Sequence, residues 1–413
     1  MSDQPQTSIR TVRFRDGERL PMLVDAQAGI PVFDPCVFVC TQVRPRAASA
    51  ATIEQVLRGV QFLLRFCAER RIDLTERFAS GQFFDLHELD DLSRSAYVRT
   101  QQASSDIAGK TNATLVRGHV ASGTAAIRLY YARSYLQWLG ERNAGQACQT
   151  LDDRDRYFRL LSQMLDRLRI RTPTAENRST RVGLNAEQKL RLLHVTDPSY
   201  PDNRGASAFL RHRNQLIVMW GIGTGLRRGE LLGLRIGRLD FRKNMASIVR
   251  RGHDPDDPRT YQPNTKTRER AIGISDELAF LRHEHIVTHR AKISGARKHD
   301  FLLVAETTGR PLSLAGFSKV FRELRTGDPL VGEGLTFHVL RHTWNEEFSQ
   351  IADSAGLKPE DERRARNHAM GWSDFSKSAD HYLRRRTRRV ADKVSTRIQQ
   401  SVIEMRPSNA DHE

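Results

Sequence analysis

From Ser49 onward the apolar residues of this chain recur at steps of three and four, a period that constrains the fold more than any other feature. Ile53, Val56, Leu57, Val60, Leu63, Leu64 and Cys67 share one face only if the segment winds into an α-helix, with Ser49 or Thr52 as its N-cap. A second helix is predicted from about residue 123 to 142, where Ile127, Tyr130, Tyr131, Ser134, Tyr135 and Trp138 make an aromatic-rich stripe read as core. Ahead of Ser49, residues 11–43 read as short strands and turns. Thr11 to Arg15 alternates, Asp16-Gly17 is a turn signal, and Val37-Phe38-Val39 is β-prone. Further on, Asn185 and Gln188 have the spacing of a capping box, and the chain beyond them is mostly helical. The exception is residues 245–274. There Ala246 to Val249 and Arg270 to Ile274 bracket a polar, Pro-containing stretch, the pattern of a hairpin with a long connection. The expected fold class is mainly α with a small antiparallel β-sheet, an α+β arrangement.

A length of 413 residues allows two domains with a core in each. Residues 167–181 are basic, contain Thr172-Pro173-Thr174 and read as the linker between them. The expected boundaries are a β-rich arm over 1–45, a helical domain over 46–170, a linker over 171–184, a second domain over 185–390 and a tail over 391–413. The 66 Lys and Arg outnumber the 49 Asp and Glu, giving a formal charge of +17. Such an excess favours a polyanionic partner, because each phosphate neutralised releases condensed counterions. A polar stretch over 104–118, with Gly109-Lys110, reads as a loop able to touch a phosphate. Cys36 and Cys40 lack a second Cys or His pair nearby, so the four cysteines read as reduced thiols rather than metal ligands. The first ten residues lack an apolar segment and no apolar run reaches membrane-spanning length. The expectation is an intracellular protein without a membrane anchor.

Short motifs in the second half carry groups suited to phosphodiester chemistry. Arg227 and Glu230 have i,i+3 spacing, either a surface ion pair or an arginine held near a helix N-terminus to grip an anion. A guanidinium binds phosphate as a two-pronged fork and keeps its charge; Arg228 is the adjacent alternative. His338 and Arg341 share a face of a helix capped by Thr336, whose buried side carries Leu340, Trp344 and Phe348. Lys266, between Thr265 and Thr267 near the start of the returning strand, suits protonation of a leaving oxygen. Trp372, after Gly371, offers an indole N–H to a phosphate or else anchors packing. Tyr382 has a phenol that becomes a nucleophile if cations such as Arg384, Arg385 and Arg386 stabilise its anion. Two arginines, a lysine, an imidazole and a phenol are enough to attack a phosphodiester with no metal or other cofactor.

These motifs, in this order, resemble the tyrosine recombinase (phage integrase) family. The resemblance covers residues 185–389 in detail and, more loosely, a helical core-binding domain from Ser49 to about Asp166. It implies that Arg227 and Arg341 clamp the scissile phosphate, Lys266 protonates the 5′-oxygen and His338 assists proton transfer. Tyr382 would attack to give a 3′-phosphotyrosyl link, and Glu230 would support the arginine helix. Trp372 stands where the family more often has histidine, with His368 and His381 nearby, and the stretch to Tyr382 is one residue longer than the common spacing. The resemblance further implies a clamp on double-stranded DNA and a synaptic homo-tetramer joined by a C-terminal helix near 390–403. Accessory proteins would assist, and the enzyme would work on the bacterial nucleoid in the cytoplasm, in integration or mobile-element recombination. The rival readings are a type IB topoisomerase-like enzyme and a DNA-binding accessory protein that does not cleave.

Overall fold

The alternating run at the N-terminus pairs with the segment beyond the Asp16-Gly17 turn. β1 (Thr7–Arg13) and β2 (Arg19–Asp25) form an antiparallel hairpin in which Ile9 faces Leu23. The computed structural model describes residues 6–99, 118–174, 182–265, 267–376, 391–392 and 394–401. The chain divides into two compact units, Met1–Ser179 and Thr180–Glu413. Of the expected loop over 104–118, all but Gly118 lies outside the described residues, as do Lys266, His381, Tyr382 and Arg384 to Arg386.

In the first unit α1 (Phe33–Phe38) follows the hairpin. The β-prone reading of Val37 to Val39 is therefore corrected, since these residues are helical. Packing decides the matter: Phe38 is buried with its ring 5.4 Å from Tyr135 and 5.5 Å from Trp138, a tertiary gain that outweighs local β preference. α2 (Ala50–Glu69) starts where its N-cap Ser49 accepts a hydrogen bond from the Thr52 N–H. Its inner face packs on α5 (Ser122–Ala147), while Ile53 and Leu57 receive Leu20 and Leu23 of the hairpin. α3 (Leu74–Ala79), α4 (Leu86–Ser95) and α6 (Leu151–Arg171) complete this core.

Two expectations are corrected here. The stripe on α5 is not one buried face, because Tyr135 and Trp138 are buried whereas Ile127 and Tyr130 are exposed. The basic run from Arg167 is helix, not linker, as far as Arg171, since Leu168 is fully buried and anchors the last turn of α6. Residues 175–181 are outside the described residues.

The second unit opens with α7 (Ala186–Thr196), whose Asn185 and Gln188 exchange both bonds of the expected capping box. Its centre is α8 (Ala208–Thr224), where Leu216, Ile217, Val218 and Trp220 are buried. α12 (Phe337–Ser354) lies against it, capped by Thr336 as the sequence indicated. That approach needs Gly221, because a Cβ there would sit 2.7 Å from Leu340 and 2.8 Å from Phe337. β3 (Leu239–Asp240), β4 (Met245–Ile248) and β5 (Arg270–Gly273) form the antiparallel sheet, with Ala246 opposite Ile272. α9 (Arg228–Leu232), α10 (Asp276–Glu284), α11 (Leu314–Gly327) and α13 (Pro359–Met370) complete the order of helices. Residues 391, 392 and 394–401 are helical, with Val394 and Ile398 exposed. No described helix is long and apolar enough to cross a membrane.

Candidate active site

α8 ends at Gly225, whose φ of +61° is the left-handed conformation that stops a helix without steric cost for a residue lacking Cβ. The turn delivers Arg227 as the N-cap of α9, while Leu226, Leu231, Leu232 and Leu234 sink into the core. Arg227 thus stands at the N-terminus of a five-residue helix, one of the two placements the sequence allowed. Side-chain contacts hold it there. Its Nη1 donates to the Met370 carbonyl at 3.4 Å and stands 3.7 Å from Glu230.

Glu230 is more than a surface partner. It is buried and accepts from Arg270 Nη1 at 3.1 Å, Arg270 Nη2 at 3.0 Å, the Thr267 hydroxyl at 2.6 Å and the Arg227 backbone N–H at 2.8 Å. Burial alone would push its carboxyl up, but the Arg270 fork and the two further donors outweigh it and hold the group below its ordinary range. Arg270, on β5, also donates through Nε to the Ala369 carbonyl at 2.7 Å. One guanidinium thus joins the sheet, the arginine turn and the end of α13. Nothing in the sequence marked Arg270, which reads as an ordinary strand residue.

The residues around Lys266 are fixed from both sides. Thr265 accepts from the Arg251 N–H and donates to the Val249 carbonyl, and Thr267 donates to Glu230. Lys266 itself lies outside the described residues.

α13 ends at Gly371 with φ +65°, and the Arg268 N–H donates to its carbonyl at 3.0 Å. The chain turns there and presents Trp372, whose backbone N–H donates to the Asn367 carbonyl at 2.9 Å. The two arginines singled out in the sequence meet on this indole. Arg341 Cζ lies 5.3 Å and Arg227 Cζ 6.0 Å from the ring centroid, within cation–π range. Arg341 is buried and donates from Nη1 to the Gly225 carbonyl at 2.5 Å. Its partner is the very turn that places Arg227.

His338 is exposed in the first turn of α12, with its ring 4.6 Å from that of His342. The structure therefore brings Arg227, Arg341 and Trp372 to one place and sets His338 on the helix that carries Arg341. Arg228 points elsewhere, reaching Ser318 at 3.4 Å. His368 is exposed on α13. Two cations beside an aromatic face, with a buried carboxylate bracing the turn beneath them, suit the binding of a phosphate oxygen anion.

Residues 184–358 match the model of the phage integrase family, a segment that includes Arg227, Glu230, His338 and Arg341. The XerH site-specific recombinase bound to palindromic difH substrate is similar at 16% identity over 84% of this chain and 86% of that one, with a TM-score of 0.41. The XerA recombinase is similar at 15% identity over 84% and 92%, with a TM-score of 0.35. The Tn1549 transposon integrase with a circular intermediate DNA aligns at 18% identity over 62% and 80%, with a TM-score of 0.37. The chain has no match among curated proteins. Residues 184–358 thus carry a domain of the phage integrase family, the domain of the tyrosine recombinases.

Proposed function

We propose that this recombinase cleaves and rejoins double-stranded DNA through Tyr382, with Arg227 and Arg341 clamping the scissile phosphate. The observation that carries this reading is the meeting of both guanidinium groups on the Trp372 ring, tied together by the Gly225 turn. Fixed cations stabilise the charge that gathers on the non-bridging oxygens as the phosphorus becomes five-coordinate. The Tyr382 oxygen forms the new bond to phosphorus, giving a 3′-phosphotyrosyl link, and the 5′-oxygen leaves with its electron pair. Lys266 protonates that oxygen, and His338 moves protons near neutral pH. Trp372 acts as a wall and hydrogen-bond donor where histidine is commoner in the family, so it transfers no proton. Since the link conserves the bond energy, rejoining needs no ATP.

In the same reading the helical unit, residues 46–170, grips DNA, and exchange of strands between two duplexes requires a homo-tetramer. Accessory proteins and a location on the bacterial nucleoid belong to it as well. The net charge of +17 supports attraction to a polyanion. The test is incubation with nicked duplexes built from the DNA flanking the coding region. A covalent protein–DNA adduct is expected, absent in Tyr382→Phe. An adduct that persists in that variant would overturn the assignment. Relaxation of plasmid lacking any such site would point to topoisomerase-like action instead.

A further inference from the structure

We propose that His212, Glu284 and His289 form a binding site for one divalent transition-metal ion of the zinc class, linking α8 to the end of α10. One ligand-capable atom from each lies within 4.8 Å of the others. The His212 and His289 rings stack at 3.8 Å with 26° between their planes, and His212 Nδ1 is 3.8 Å from Glu284 Oε2.

The backbone has a specific feature here. α10 ends at Glu284 and continues as a π-helical turn over His285–His289. Hydrogen bonding from i to i+5 stacks residues five apart, which an α-helix would separate, so Glu284 and His289 face the same way toward α8. Such turns inside helices are frequently found at functional sites. His289 Nε2 is closed off from solvent and meets no hydrogen-bond partner among the described residues. A buried ring nitrogen in that position is costly unless something satisfies it.

Two imidazoles and one carboxylate form the donor set that zinc takes in three-ligand sites with a fourth position left to water. Calcium and magnesium, which prefer oxygen, fit it poorly. Ligand atoms around tetrahedral zinc sit about 3.4 Å apart given bond lengths near 2.1 Å, so small side-chain rotations close the site. The field at His289 is mixed: burial and the neighbouring His212 and Lys292 disfavour its charge, while Glu284 favours it. An ion here would brace α8, the helix whose C-terminal turn presents Arg227.

The experiment uses the full chain stripped with chelator and titrated with Zn2+ alone by calorimetry. One ion per chain and a rise in the unfolding temperature are expected. Co2+ in its place should give the visible absorption of a tetrahedral nitrogen–oxygen site. His289→Ala and Glu284→Gln should each weaken binding by more than the roughly 10–100-fold that losing an outer-shell partner costs. Cys36→Ser with Cys40→Ser should leave it unchanged. No binding, equal binding in both ligand variants, or loss only in the cysteine variant would overturn the proposal.

Discussion

Glu230 and Arg270 form a two-point ion pair from which solvent is almost wholly excluded, at 3.1 and 3.0 Å. The residues lie 40 positions apart, one on α9 and one on β5. The same two side chains also hold the Arg227 backbone, Thr267 and the end of α13.

Removing one partner should therefore cost more than removing a surface pair. Arg270→Met is expected to destabilise the protein by about 3–5 kcal/mol, because it strands a buried carboxylate. Denaturant titration measures it. A loss under about 1 kcal/mol, as for an exposed pair, would show that water reaches Glu230.

Acid should weaken the same contact. The Glu230 carboxyl titrates below its ordinary value in the folded state, as does Asp254 beside Arg235. For a lowered folded pKa the stabilisation is fully present above the unfolded value and fades as pH falls through the folded one. The unfolding temperature should accordingly be flat near neutrality and drop below about pH 4.5. Glu230→Gln should show a shallower drop from a lower starting point. A slope in that variant equal to the parent's would assign the acid sensitivity to other groups.

Trp372 offers a direct test of the cationic site. Each arginine–ring contact contributes about 0.5–2 kcal/mol. Trp372→Ala should slow formation of the covalent DNA adduct by about ten- to a hundredfold, whereas Trp372→Phe, which keeps a ring face, should lose less. Single-turnover rates on a nicked duplex give the comparison. Unchanged cleavage in Trp372→Ala would remove the indole from the site.

Gly371 is constrained twice. Its φ is +65°, and a Cβ there would stand 2.5 Å from Arg270 Nη1 and 3.0 Å from the Arg268 carbonyl. Gly371→Ala should cost about 1–3 kcal/mol and slow cleavage as well, since it pushes on the guanidinium that braces Glu230. A variant with parental stability and adduct yield would mean the turn relaxes freely.

Local signals in this chain were legible because they act over a single helical turn. Asn185 and Thr336 cap the helices they were expected to cap, Ser49 rather than Thr52 caps α2, and the three- and four-residue period of 53–67 forms its inner face. The hairpin strands around 245–274 followed from composition in the same way. Arg227, Arg341 and Trp372 were singled out from short motifs, and the fold brings them together, whereas the supporting role of Glu230 entered only through the family resemblance. Val37 to Val39 misled because strand preference is weak beside burial of Phe38 against two aromatic rings. Residues 167–171 misled because their charges hide the one buried Leu168 that holds the turn.

Several helix starts and the class of fold could be read from short stretches of this sequence, for those depend on neighbours a few residues away. That Arg270 braces the Arg227 turn and that two arginines share one indole emerges only once the chain is folded. Glu230 lies 40 residues before Arg270 and Ala369 lies 99 after it, and no local pattern records a meeting that chain folding alone brings about.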